Sequence, residues 1–281
     1  MLFNKSAKYK YFFSVFLTLR CNFNCSYCIQ KMSDFDYNKE VDGEKWIKFL
    51  TDKVRNKCLE LIGGEPTLHK DFKSIIEATH KLYLLTVTTN LGTELFANMD
   101  KFINWAGNKK VKWNTSFHPG NMACDEYIDR IKRMQKAGLS VGQVASPNLE
   151  ILNPYRKKLE DADIGFRTQV FTGFINGELR PNKEEMDKQD PKLTGIMFDW
   201  ERYKDAFSCR KKRKMLCRSK RFLIAPNGNL HKCHYHLYSN GKNFGNVFNK
   251  YTYTDKFFEC DDYGFCNPCD YPDVEFRELK R

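Results

Sequence analysis

The stretch CNFNCSYC, residues 21–28, places three thiols, Cys21, Cys25 and Cys28, on one short segment behind an apolar run. Thiolates are soft ligands, and cysteines gathered in this way point to metal rather than to disulfides. A structural zinc ion wants four ligands, and the next histidine along the chain is only His69. Three thiolates from one loop suit a [4Fe–4S] cube better, with three irons held by protein and the fourth open to an exogenous ligand. Zinc, or plain buried thiols, is the alternative.

A second group lies near the C-terminus, where Cys217, Cys233, Cys266 and Cys269 form C-x15-C-x32-C-x2-C. Zinc accepts the same four thiolates. Cys260, six residues before Cys266, is the alternative ligand. His231, His234 and His236 crowd Cys233, where shielding or tuning a cluster suits them better than ligation. Cys58 and Cys124 read as buried packing. His118 sits where a fourth strand ends, as a satisfied histidine or a rim residue.

These groups need elements to position them. Short apolar runs alternate with helical patterns through the first two thirds of the chain. Strands are expected at 12–19, 58–62, 83–89, 111–117, 139–145 and 166–171. Helices are expected at 44–54, 71–82, 93–105, 124–137 (ending at Gly138) and 153–162. About six strand–helix repeats imply parallel strands wound right-handedly, in an α/β fold. After about residue 195 the texture changes. Residues 210–221 carry eight basic side chains in twelve. Residues 222–233 then read as a hairpin turning at Asn227-Gly228.

The motif C-x3-C-x2-C, with the aromatic Tyr27 before its last cysteine, resembles the signature of radical S-adenosylmethionine (SAM) enzymes. It follows the first strand, GGEP (63–66) follows the second, TTN (88–90) closes the third and Ser116 lies late in the fourth. The resemblance implies a partial (β/α)6 barrel over residues 1–195. It further implies that Cys21, Cys25 and Cys28 hold a [4Fe–4S] cluster that binds SAM. Tyr27 would pack on adenine, Gly63 and Gly64 would let the backbone approach SAM, and Glu65 would meet its amino group. Thr89, Asn90 and Ser116 would line the pocket. The cofactor then yields a 5′-deoxyadenosyl radical that takes a hydrogen atom from substrate, while the barrel orients it and excludes water.

Residues 196–281 resemble the twitch domain, the shortened relative of the SPASM domain, which implies one auxiliary [4Fe–4S] cluster on Cys217, Cys233, Cys266 and Cys269. A fully ligated cluster suits electron transfer, so an oxidoreductase acting on a sugar or aminocyclitol-type molecule is the favoured expectation. Crosslinking or epimerisation of a ribosomal peptide is the second expectation, because the some 20 residues before the first cysteine leave no room for the recognition domain common in peptide modifiers. For an epimerase the resemblance implies Cys124 as candidate hydrogen-atom donor. A flavodoxin- or ferredoxin-type protein would supply electrons.

The chain has 281 residues with 47 Lys and Arg against 35 Asp and Glu, a formal charge of +12. That excess suits a phosphorylated or acidic substrate, or simply a solvated face. A zinc-stapled nucleic-acid-binding protein is the rival from another class, although aromatics do not interleave with the basic run. The basic, apolar start imitates a secretory signal, but Arg20 stands where small residues belong. With no run long enough to span a membrane, a cytoplasmic protein is expected.

Overall fold

A computed structural model describes residues 12–25, 28, 30, 39–53, 58–142, 144–146, 149–168, 173–175, 178–180, 214–252, 254, 256–260 and 274–279. Five strands follow one another in parallel: β1 (Phe12–Thr18), β2 (Cys58–Gly63), β3 (Leu84–Thr89), β4 (Val111–Thr115) and β5 (Ser140–Val141). Helices α1 (Gly43–Lys53), α2 (Phe72–Thr79), α3 (Met99–Ala106) and α4 (Cys124–Lys136) connect them.

The helices form where the apolar spacing predicts. In α2, Phe72, Ile75, Ile76 and Thr79 are buried; in α4, Tyr127, Ile131 and Met134 are. These faces pack on Phe13, Val15, Leu17, Leu59, Leu61, Leu85, Val87 and Trp113 of the sheet, a single apolar core. Asn98 caps α3 through Lys101 N at 3.0 Å. Helix α4 stops at Gly138, whose φ of 76° only glycine adopts freely.

Beyond β4 the observed order departs from six consecutive strands in one sheet. The expected strand 139–145 ends early, at Val141, and Gly142 sits tight against Asn114, where a Cβ would lie 2.1 Å from Oδ1. The chain continues into β6 (Val144–Ser146), helix α5 (Leu149–Asp161) and β7 (Phe166–Thr168), with β6 and β7 paired in parallel as a separate two-stranded sheet. An antiparallel pair, β8 (Gly173–Ile175) and β9 (Glu178–Arg180), comes next.

The C-terminal segment contributes β10 (Met215–Ser219), β11 (Arg221–Ile224), β12 (Leu230–His231), the short helix α6 (His234–Tyr238), β13 (Phe258–Glu259) and β14 (Val274–Glu278). The hairpin of β11 and β12 forms around Gly228, at φ 86°. It does not stand apart: β11 pairs in parallel with β1, giving a sheet ordered β12-β11-β1-β2-β3-β4-β5. Without it β1 would be an open edge. Strand β10 runs between β13 and β14 in a second sheet.

Candidate active site at the strand ends

All the parallel strands end on one edge of the sheet, where ligands of α/β folds gather. The cysteine loop leaves β1 there, and the loop after β2 is bonded onto it. Gly64 N donates to Thr18 O at 3.0 Å and Glu65 N to Arg20 O at 2.8 Å. Backbones this close leave no room for side chains. A Cβ on Gly63 would lie 2.0 Å from Thr18 O, and one on Gly64 would lie 2.1 Å from Arg20 O. The two glycines thus seat one loop against the other, a constraint that exists before any ligand binds.

Glu65 is fully buried. Its Oε1 accepts from Thr67 N (3.2 Å), Thr67 Oγ1 (2.7 Å) and Thr89 Oγ1 (2.9 Å), and its Oε2 accepts from Asn90 N (2.7 Å). Burial pushes its carboxyl pKa up, while these four donors hold it down. One carboxylate therefore ties the GGEP loop to the end of β3. At that end Leu91 sits at φ 59°, with its N–H on Thr89 Oγ1 at 3.1 Å. Strain of this kind in a branched residue persists only where its surroundings over-determine it. Ser116 N joins the same edge through Thr89 O at 2.9 Å.

The thiols have their own partners. Cys21 Sγ accepts from Phe23 N at 3.4 Å and from Asn90 Nδ2 at 3.7 Å. Cys25 is buried, with its Sγ 3.4 Å from Asn121 Nδ2 and 3.5 Å from His118 Nδ1. Burial lowers the His118 pKa to about 4, so this ring is neutral at physiological pH. Cys28 N closes the turn onto Cys25 O at 3.2 Å. Phe23 wedges between Gly92 and the His118 ring, 5.9 Å away edge-on.

The donor set suits a cluster that brings its own positive charge. Burial pushes Cys21 up to about 11, Glu65, Cys28 and Cys25 push the same way, and only the Phe23 N–H opposes them. Such a thiol stays protonated at neutral pH until a metal's charge displaces the proton. Among the described residues no three His, Cys, Asp or Glu side chains converge on a single-ion centre.

Sequence reasoning missed the inner face of the sheet. Parallel strands usually bury apolar residues on both faces. Here register aligns Ser14, Glu60, Thr86 and Lys112 across β1 to β4, with Thr88 and Asn114 in the next row. Glu60 accepts from Ser14 Oγ at 2.9 Å and from Thr88 Oγ1 at 3.0 Å. On the β11 side the same face turns apolar, where Phe16, Leu223 and Ala225 pack with Leu237 and Tyr238 of α6. The result is a polar floor beneath the cysteine loop, closed at one end by α6. Strand alternation alone could have shown it, since β2 to β4 place Glu, Thr, Thr, Lys and Asn on one side.

Other candidates sit elsewhere. Cys124, buried at the start of α4, belongs to the core between sheet and helices, and burial raises its thiol pKa. Cys58 is likewise buried, at the start of β2. Cys217 is buried on β10 opposite Phe258, while Cys260 N bonds Met215 O at 2.9 Å. Cys233 precedes α6, and its neighbour Lys232 reaches Ser219 O at 2.7 Å, which links that turn to the end of β10. His231, His234 and His236 are all buried beside it. Tyr27, Cys266 and Cys269 lie outside the described residues.

A parallel α/β sheet with a three-thiol loop at its strand ends defines the class of protein that builds redox or radical sites there. The chain belongs to the radical SAM superfamily: the model described as "Radical SAM superfamily" matches residues 15–164, over half of its length. Among curated proteins it is similar to the S-adenosylmethionine-dependent nucleotide dehydratase of Selenomonas ruminantium, 30% identical over 98 residues. That match covers 30% of this chain and 34% of the relative, so the chain spans about a third of that protein. Streptococcus suis SuiB bound to S-adenosylmethionine shares the fold, with a TM-score of 0.60 and 14% identity over 88% of this chain and 66% of that one. The solved structure of anSMEcpe with bound AdoMet and Cp18Cys peptide has a TM-score of 0.58 and 16% identity, covering 85% of this chain and 78% of that one. As family membership implies, the cofactors are SAM and a [4Fe–4S] cluster. Among the described residues no helix is long and apolar enough to cross a membrane.

Proposed function

We propose that this protein is a radical SAM oxidoreductase that removes a hydrogen atom from a polar substrate and oxidises the resulting radical through a second cluster. The observation that carries the reading is the knot at the strand ends, where Glu65, Asn90 and Thr89 join the GGEP loop, β3 and the cysteine loop. Cys21, Cys25 and Cys28 are the residues that hold the cluster. With SAM on its open iron, such a cluster supplies a 5′-deoxyadenosyl radical. Gly63, Gly64, Asn90 and Ser116 fix the backbone around the cofactor, and Tyr27 offers an aromatic surface for adenine.

The polar floor favours a substrate rich in hydroxyl or amine groups. Glu60 and Lys112 lie two strands apart, about 10 Å between backbones, with Thr86 between them in register. A sugar or aminocyclitol-type small molecule matches that pattern of donors and acceptors. A peptide substrate is the second reading. Its support is the likeness in fold to SuiB, solved bound to the precursor peptide SuiA, and to anSMEcpe with its Cp18Cys peptide. The nucleic-acid-binding alternative has no comparable support once the barrel is placed in this superfamily.

Cys217, Cys233, Cys266 and Cys269, with Cys260 as the alternative, are the proposed ligands of an auxiliary [4Fe–4S] cluster in residues 196–281, which accepts the electron that substrate must lose. A flavodoxin- or ferredoxin-type donor reduces the first cluster, and the protein acts in the cytoplasm. The test is product mass. Incubated anaerobically with SAM, reductant and pools of amino sugars or peptides, the enzyme is expected to release a product two hydrogens lighter for each 5′-deoxyadenosine formed. A product of unchanged mass in ordinary water that becomes one mass unit heavier in deuterated water would overturn the oxidoreductase reading in favour of an epimerase.

A further inference from the structure

We propose that Asn90 and Asn121 act as positioning residues that brace the cysteine loop from two different strands and, through N–H donors on Cys21 and Cys25, raise the reduction potential of the cluster that loop holds. The inference rests on the reading that Cys21, Cys25 and Cys28 are cluster ligands. Nothing in the sequence motif marks Asn121, which follows a Pro-Gly turn beyond β4.

The two side chains repeat one arrangement. Asn90 Oδ1 accepts from Gly92 N at 2.7 Å, which fixes which end of the amide is which. Its Nδ2 is thereby turned to the cysteine loop, 3.0 Å from Asn22 Oδ1 and 3.7 Å from Cys21 Sγ. Asn121 Oδ1 accepts from Asn24 N at 3.3 Å, so its Nδ2 faces Cys25 Sγ, at 3.4 Å. Each amide therefore holds the loop at one point and offers a donor to a ligand sulfur at another. The loop is gripped on both sides, from the end of β3 and from the turn after β4, and Asn121 N anchors that turn on His118 O at 3.1 Å.

Reduction adds one electron to a cluster, and part of the added charge resides on its sulfurs. A donor N–H aimed at a ligand sulfur stabilises the reduced form more than the oxidised one, and so raises the potential. The two bonds are alike in setting: Asn90 is buried and its acceptor Cys21 exposed, while Asn121 is exposed and its acceptor Cys25 buried.

The experiment uses the full chain with its iron reconstituted anaerobically, and reads the midpoint of the SAM-responsive cluster by EPR-monitored redox titration together with iron per chain. Asn90→Ala and Asn90→Asp are both expected to move the midpoint to more negative values with iron retained. The Asp variant keeps the oxygen that accepts from Gly92 but puts a carboxylate in place of the donor, whose charge also lowers the midpoint, so the size of the shift is read from the neutral Asn90→Ala. Asn121→Ala is expected to move the midpoint in the same direction. An unmoved midpoint in the Asn90 variants would overturn the proposal. So would loss of iron in Asn90→Ala alongside a wild-type midpoint in Asn90→Asp, since that pattern assigns the residue to loop assembly alone. A SAM-responsive signal that survives replacement of all three cysteines by alanine would instead defeat the ligand assignment beneath it.

Discussion

Glu65 shows how much one side chain can carry at this site. Four donors meet its buried carboxylate, from Thr67, Thr89 and Asn90. Glu65→Ala strands them away from water, and each buried donor left unmet costs about 1–3 kcal/mol. Thr67 Oγ1 retains Thr93 as a partner at 2.8 Å, so the expected loss is about 3 kcal/mol rather than the full sum. Chemical denaturation of the variant measures it. A loss below about 1 kcal/mol would mean that the loops hold together without this carboxylate. The sequence pointed to Glu65 as a partner of the SAM amino group. It carried no sign that the same side chain ties the loop after β2 to the end of β3, because those partners are up to 25 positions away. Gly63 and Gly64 were legible as glycines that permit close approach, but the approaching group in the structure is the backbone of Thr18 and Arg20. Gly64→Ala forces its Cβ into Arg20 O and is expected to displace the cysteine loop. Iron incorporation falling to less than half of wild type, with the far-UV spectrum kept, is the predicted result; normal iron would contradict it.

At the scale of elements, β1 to β4 and helices α1, α2 and α4 follow the expected boundaries to within about three residues. The helix expected from 93, by contrast, begins only at Met99, after a separate 3-10 turn at Glu94–Phe96. Where packing at a distance decides, local pattern fails. The helix expected at 153–162 starts earlier, at Leu149, placing buried Leu152 and Leu159 on one face. The pair β8 and β9 went unforeseen although Asn176-Gly177 stands between them in sequence, the same turn signal that revealed the hairpin at Asn227-Gly228. That β11 would pair with β1 could not be read from either segment, since they are separated by some 200 residues. The turn between α2 and β3 offers a pH test remote from the cysteines. His80 is buried, its Nδ1 accepts from Lys110 N at 3.2 Å, and burial lowers its pKa, with Lys109 and Lys81 adding to the effect. The folded ring binds a proton less readily than the unfolded one. Stability is therefore expected to be intact above the unfolded value near 6.5 and to decline as pH falls through the lowered folded value. His80→Gln, which cannot titrate, should flatten the slope of denaturation midpoint against pH in that range. An equal slope in wild type and variant would assign the decline to other groups.

At the scale of the whole molecule, the C-terminal segment plays two parts. Its hairpin completes the sheet beside β1, and α6 closes one end of the inner face through Leu237 and Tyr238. Among its described cysteines, Cys217 lies on the middle strand of a separate sheet and Cys260 N bonds Met215 O of that same strand. If the C-terminal segment holds its own cluster, replacing Cys21, Cys25 and Cys28 by alanine should leave about four irons per chain. A triple variant holding zinc and no iron would show a structural centre instead. Cys260→Ala is expected to spare most of that iron, and its loss would move Cys260 into the ligand set.

The central claim is that the loop of Cys21, Cys25 and Cys28 drives reductive cleavage of SAM, and one measurement tests it directly. Wild-type protein and the Cys21, Cys25, Cys28 triple alanine variant are reconstituted anaerobically, reduced, and given SAM, and 5′-deoxyadenosine is quantified over time. The wild type is predicted to form 5′-deoxyadenosine and methionine, and the variant none above background. Formation at the wild-type rate by the variant, or none by iron-loaded wild type, would contradict the account.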